Sequence, residues 1–153
     1  MQTLRENIIE ILVKSKRLQA EQIEKALQIQ KQKGIPLRNV LVEQGFISEE
    51  ELLSLLSNQL YIPILHLTKY KFNPEITKLI PEHIARQYCL IPLSRMGNSL
   101  TVATADPLNI FALDDLRTLT GCNIDIVLSS QDEIFRAIDT QYHLEFKDMQ
   151  QLI

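Results

Sequence analysis

Residues 37–59 read LRNVLVEQGFISEEELLSLLSNQ, and residues 8–30 read IIEILVKSKRLQAEQIEKALQIQ. Laid over each other, Ile8, Leu12, Leu18, Ile23, Leu27 and Gln30 fall on Leu37, Leu41, Ile47, Leu52, Leu56 and Gln59. Matching residue classes at one fixed offset mark a duplicated helix-turn-helix unit, whose apolar stripe a single copy would leave in water. Two copies make a pair, and the pair fixes the architecture of the first half of the chain.

Each copy carries its own punctuation. Thr3-Leu4-Arg5-Glu6 has the form of a capping box, followed by a helix over about Leu4 to Lys14 with Leu4, Ile8, Ile11 and Leu12 on one face. A second helix, Ala20 to Lys33, turns Ile23, Ala26, Leu27 and Gln30 inward and stops at Gly34. Pro36 suits the first turn of a third helix, where a missing N–H costs nothing. In the second copy Gly45 ends the third helix, and Ser48-Glu49-Glu50-Glu51 caps the fourth, setting acidic charge at the positive end of its dipole. The first copy has Lys16 in place of that glycine and Gln19 in place of that serine, so its turn is expected to be looser and to lack a standard cap.

From Leu60 to Lys71 the helical period is lost, and Pro63 forbids a helix through the segment, which reads as an extended connector. Asn73-Pro74 and Pro81 each open a short helix, the second running to about Tyr88. Cys89–Arg95 and Ser99–Ala105 are strand-like and flank Gly97-Asn98, a pair suited to a tight hairpin turn. Asp106-Pro107 is expected to cap a helix that buries Ile110, Leu113, Leu116 and Leu119 and stops at Gly121. The strand Asn123–Leu128 follows, and strand, helix, strand with short links implies a parallel pair. Ser130-Gln131-Asp132-Glu133 caps a last helix that buries Ile134, Phe135, Ile138 and Tyr142, and the pattern fades after His143.

The fold class is therefore α+β: an N-terminal helical repeat of two helix-turn-helix units, then a small mixed α/β sandwich of about three strands. The expected organisation is a helical domain over 1–60, a linker over 61–72, an α/β domain over 73–143, and a tail over 144–153.

Chemistry is sparse. With 153 residues, 45% hydrophobic and 23% charged, the composition is that of an ordinary globular protein. A net charge of -3 offers no basic field for a phosphate backbone, so no nucleic-acid partner is expected. No apolar run is long enough to span a bilayer and the first ten residues lack a signal-peptide core, so a cytoplasmic protein without direct membrane insertion is expected. Cys89 and Cys122 stand apart, without CxxC or a nearby histidine, and read as buried thiols. His66, His83 and His143 are scattered, with no partner motif for a base or a metal. Asp114 and Asp115 diverge on a helix and read as a solvated face, and the lysine-rich Gln28–Lys33 segment suits the negative pole of its helix. There is no GxxxxGK[ST] phosphate cradle, so this sequence as it stands is no ATPase, and no catalytic, metal or cofactor residue is assigned.

The duplicated unit, the connector, and the ordered segments Ile80-Pro81-Glu82-His83, Ile91-Pro92-Leu93, Leu100-Thr101-Val102-Ala103-Thr104-Ala105-Asp106-Pro107 and Leu119-Thr120-Gly121 together resemble the N-terminal region of type II secretion and type IV pilus assembly ATPases. In that family the P-loop core lies further along the polypeptide. The resemblance implies a non-catalytic docking and regulatory region, contact with the cytoplasmic domain of an inner-membrane secretion or pilus component, and a hexamer only through the missing ATPase core. It also implies a position peripheral to the inner membrane through that protein partner.

Part of the family binds cyclic di-GMP through tandem copies resembling RLGxxLxxxGxIxxxxLxxxLxxQ. There arginine suits stacking and phosphate forking, and glycine admits backbone amides to the ligand. In this chain the arginine positions hold Asn7 and Pro36, the first glycine positions Ile9 and Arg38, and the second Lys16 and Gly45. Under this alternative, a cyclic di-GMP receptor, the candidate contacts are Arg17, Gln30, Arg38, Gly45 and Gln59. A stand-alone adaptor that never carried an ATPase core is a further alternative.

Overall fold

The computed structural model describes the backbone of residues 11–12, 18–35 and 37–151, with side chains as far as residue 142. The chain divides into two compact units, 1–61 and 62–153. The cap expected at Thr3–Glu6, most of the helix expected over Leu4–Lys14, and Pro36 lie outside the described residues.

In the first unit, α1 (Ala20–Lys33), α2 (Leu37–Glu43) and α3 (Glu49–Leu60) follow in order. The repeated ladder forms the core: Leu12, Leu18 and Ile23 are buried, as are Leu37, Leu41, Ile47, Leu52 and Leu56. Leu27 is only half-buried. Ser48 caps α3 by accepting from the Glu51 N–H at 3.1 Å. The cap expected to be missing from α1 is present in another form. The Gln22 side chain reaches back and accepts from the Gln19 N–H at 3.0 Å, so a glutamine supplies the return half of a capping box. Between α2 and α3 the backbone turns at Gly45, whose φ of 76° is the left-handed conformation that only glycine adopts without strain.

In the second unit, residues 62–72 lead to α4 (Pro74–Thr77), α5 (Glu82–Tyr88), β1 (Leu90–Met96), β2 (Ser99–Thr104), α6 (Ile110–Thr120), β3 (Asn123–Leu128) and α7 (Gln131–Gln151). The sheet order is β1-β2-β3, with β1 antiparallel and β3 parallel to β2. This is the mixed sheet expected from the sequence. β1 starts one residue later than expected because Cys89 adopts a left-handed conformation, φ 52°, and closes α5. A bulge between Pro92 and Ser94 frees the Leu93 carbonyl, which accepts from the Tyr70 hydroxyl at 2.8 Å. Pro92 is tolerated because β1 is an edge strand.

Several boundaries differ from the sequence reading. Asp106-Pro107 does not cap α6. The Asp106 N–H is bonded to Thr104 Oγ1 at 3.1 Å, Pro107 is buried in a turn, and Asn109 caps the helix by accepting from the Ala112 N–H at 3.2 Å. Asparagine is as good a cap as aspartate, and it lies where the turn releases the chain. The inward stripe of α6 is Ala112 and Leu116, while Ile110 and Leu119 are 62% and 50% exposed. The connector is extended and tied to the sheet: Leu65 N–H donates to the Leu128 carbonyl at 2.8 Å, and Ser129 Oγ donates to the Leu65 carbonyl at 2.6 Å. α7 continues helical to Gln151, well past the point where its apolar pattern fades.

Ile134 and Ile138 of α7 are fully buried beneath β1 and β2, and Tyr142 extends that contact to α4. The Tyr142 hydroxyl donates to the Ile80 carbonyl at 2.6 Å, with the Thr77 carbonyl at 3.2 Å. Burial, and secondarily the Glu82 carboxylate, push its pKa well above the usual phenol value. A phenol held neutral by the fold stabilises it below the unfolded pKa of about 10 and loses that contribution as pH rises through the folded value. Denaturant unfolding of Tyr142→Phe is expected to show a loss of about 1–2 kcal/mol at neutral pH and a shallower fall above pH ~10 than the parent. Equal alkaline slopes for the two would show that Tyr142 titrates as an ordinary surface phenol.

Candidate functional site

The described candidate contacts of the repeat differ in exposure: Arg38 is buried, Gln30 half-buried, and Gly45 and Gln59 exposed. Arg38 sits in the first turn of α2 and is only 4% exposed. Its neighbours Leu37, Val40 and Leu41 are core residues, so the helix face that buries them carries the arginine inward. Its Nη2 donates to both oxygens of Glu49 at 2.9 Å, and its Nη1 donates to Asn39 Oδ1 at 3.0 Å. Glu49 is the first residue of α3, where the helix dipole favours a negative charge. The pair thus joins two helix starts through one guanidinium nitrogen shared between both carboxylate oxygens, held by charge and the dipole together.

Other polar atoms in this unit are less well served. Arg38 Nε and Gln30 Oε1 are buried without a hydrogen-bond partner among the described residues. Gln30 is half-buried near the end of α1, and its backbone carbonyl accepts from the Gly34 N–H at 2.7 Å. Its repeat-mate Gln59 is exposed on α3. Gly45 is exposed, with open space about its Cα, so the turn alone explains it. Arg17 lies outside the described residues. The duplication therefore preserves the apolar ladder while its polar positions are placed differently in the two copies.

The second unit holds features that sequence reading missed. A groove of about 230 Å³ runs between the connector and α7, lined by Leu67, Tyr70, Phe72, Glu133 and Arg136 among others. Glu133 accepts from Thr68 Oγ1 at 3.1 Å and lies 3.7 Å from His66 Nδ1. On α6, Phe111 is 80% exposed next to the exposed Ile110, and one turn further on Asp115 accepts from the Tyr88 hydroxyl. The only sequence signal for this apolar surface is an apolar stripe on α6 too wide for one buried face. Cys89 and Cys122 are buried free thiols, as expected, and no group of metal-ligating side chains occurs among the described residues.

Comparison with known proteins places these features in a family context. The MshEN domain family matches residues 60–146. The type IV pilus assembly ATPase PilB of Myxococcus xanthus is 39% identical over 133 residues, covering 87% of this chain and 24% of that protein. The type II secretion system protein E of Xanthomonas campestris is 25% identical over 141 residues, covering 88% of this chain and 24% of its own length. The chain thus spans about a quarter of each of these relatives. A solved structure described as MshE with cdg superposes with a TM-score of 0.75 at 28% identity, covering 93% of this chain and all of that one. The N-terminal domain of XpsE has the same fold, with a TM-score of 0.75 at 22% identity over 91% of this chain and 96% of that chain.

The Arg38–Glu49 pair is expected to be an internal support of the repeat. Arg38→Ala should cost about 2–4 kcal/mol in denaturant unfolding, because it takes the cation away from a partly buried carboxylate. Arg38→Lys should recover only part of that loss, since one ammonium cannot hold Glu49 and Asn39 at once as the two guanidinium nitrogens do. A loss below about 0.5 kcal/mol for the alanine variant would rank the pair with ordinary surface ion pairs.

Proposed function

Because the chain belongs to the MshEN domain family, we propose that it serves as the docking and regulatory N-terminal region of a type IV pilus assembly or type II secretion ATPase. Its partner in this reading is the cytoplasmic domain of an inner-membrane component of the same machine. The relatives are ATPases several times longer than this chain, and the sequence of this chain contains no P-loop. ATP hydrolysis therefore belongs, in this reading, to a catalytic core outside these 153 residues.

One observation carries the docking reading: a well-packed unit exposes a large aromatic side chain beside an isoleucine. Scattered exposed leucines are normal on any surface, but adjacent Ile110 and Phe111 are 62% and 80% exposed on a helix that buries Ala112 and Leu116. Aromatic residues of this kind anchor protein interfaces, filling a pocket on the partner while a polar rim excludes water. Asp115 and Arg117 on the same helix can supply such a rim. No described helix is long and apolar enough to cross a membrane, so attachment to the inner membrane would come through the protein partner.

The alternative reading is a cyclic di-GMP receptor, and what favours it is the likeness to MshE with cdg. The two readings rest on different units, docking on the second and the nucleotide on the repeat of the first.

Docking is tested by capture of the purified cytoplasmic fragments of the machine's inner-membrane components. Phe111→Asp is expected to weaken capture about thirtyfold or more, as loss of a central anchor does, while Phe111→Leu keeps most of it. Undiminished capture by a folded Phe111→Asp chain would remove this helix from the interface.

A further inference from the structure

The groove between the connector and α7 lies wholly within the second unit, and the fold engages some of its polar groups while leaving others over. Its aromatic wall is fixed before anything binds. The Tyr70 hydroxyl donates to the Leu93 carbonyl at 2.8 Å, and its ring meets Phe72 edge to face with centroids 4.9 Å apart. Rings held in this way lose little freedom when another side chain packs on them.

The carboxylates of α7 nearest the groove are engaged elsewhere. Glu133 accepts from Thr68 Oγ1 and from Ser130 Oγ, and Asp139 is held by the Arg86 guanidinium. Arg136, which lines the groove, has its guanidinium in no ion pair or hydrogen bond among the described residues, and exposed Asp132 one turn earlier does not pair with it. Gln141, also in the lining, has a side-chain amide equally without a partner among those residues. The connector adds positive charge: Lys69 and Lys71 are exposed on either side of Tyr70, and residues 61–72 contain no Asp or Glu. In a chain of net charge -3 this stretch is locally basic.

We infer that this groove takes an extended acidic peptide segment of a partner protein, with a carboxylate on Arg136 and a neighbouring apolar side chain on the Tyr70–Phe72 wall. Guanidinium matches carboxylate geometry, and the fixed rings offer the apolar half of the contact. A volume of about 230 Å³ is below the ~300–1,000 Å³ of sites that enclose a small molecule, yet it has room for side chains laid next to each other. A trough between an extended segment and a helix suits an extended chain, whereas a flat bilayer surface would not reach into it. The groove and the exposed residues of α6 lie on different elements, so this inference does not rest on docking through Phe111.

Fluorescence anisotropy on the whole chain tests it, using a short labelled peptide that alternates glutamate with leucine and its counterparts carrying glutamine or lysine in place of glutamate. The glutamate peptide is expected to bind saturably at about 10–100 µM, the glutamine form about tenfold more weakly, and the lysine form not at all. Arg136→Gln should weaken the glutamate peptide about tenfold and leave the unfolding temperature unmoved, because this exposed side chain makes no polar contact among the described residues. Thr140→Trp should abolish binding by filling the groove from an exposed helix position. Replacing Lys69 and Lys71 together by glutamine should cost about threefold or less, as charges outside the groove do. If the lysine pair removes binding and Arg136→Gln does not, the surface is a diffuse basic patch and the inference falls. A chain that ignores the glutamate peptide overturns it too, and sedimentation with vesicles of about one-quarter phosphatidylserine in phosphatidylcholine would then assign these cations to an anionic membrane.

Discussion

Strand β2 has hydrogen-bonded neighbours on both edges, and nearly everything in the second unit is placed by that fact. Its backbone is satisfied by antiparallel β1 on one side and parallel β3 on the other, so Leu100, Val102 and Ala103 are fully buried. Hairpin geometry fixes β1 through the turn at Gly97, where φ is 59°. A parallel neighbour cannot follow directly, so the chain must travel the length of the sheet before β3, and α6 is that return. The connector then extends the pairing beyond β3, through the Ile64–Leu128 bridge. What looks like a passive link is held by the same sheet.

That route also explains why α6 leaves apolar side chains in water. A helix placed close to a sheet by the small Ala112, with Leu116 one turn on, buries a narrow strip only. Ile110 and Phe111 lie before and beside that strip, at the helix start. Their exposure follows from the packing of α6, and retaining isoleucine and phenylalanine there carries a solubility cost that a partner surface would remove.

Much of this is legible in the residues, for identifiable reasons. The helix at about Ala20–Lys33 and the strand Asn123–Leu128 are legible because period and terminators agree: Gly34 closes the helix, and Gly121 releases the chain two residues before the strand. Where two residues offer the same service, sequence has no means to choose. Asp106 and Asn109 can each cap a helix, and only the bond from the Ala112 N–H to Asn109 Oδ1 shows which one does. The buried face of α6 is hidden because leucine and isoleucine spacing allows several stripes, and the true contact is a small alanine with little apolar signal of its own. The length of α7 is hidden because helix continues where apolar periodicity stops. Arg38 shows the limit most sharply. A charged residue in a repeat suggests a ligand, and its true partner, Glu49, belongs to the next helix.

The two units thus answer one constraint differently, that apolar faces must be covered. In the repeat, duplication supplies the cover from within: each ladder residue described in one copy has a counterpart at the same register in the other, and nearly all of them are buried. Such a scaffold is held by its apolar ladder, which places little demand on the polar positions. The burial of Arg38 is tolerable because Glu49 starts the neighbouring helix, where the dipole already favours its charge. The second unit keeps its apolar excess outward on α6, where the fold itself leaves Ile110 and Phe111 uncovered.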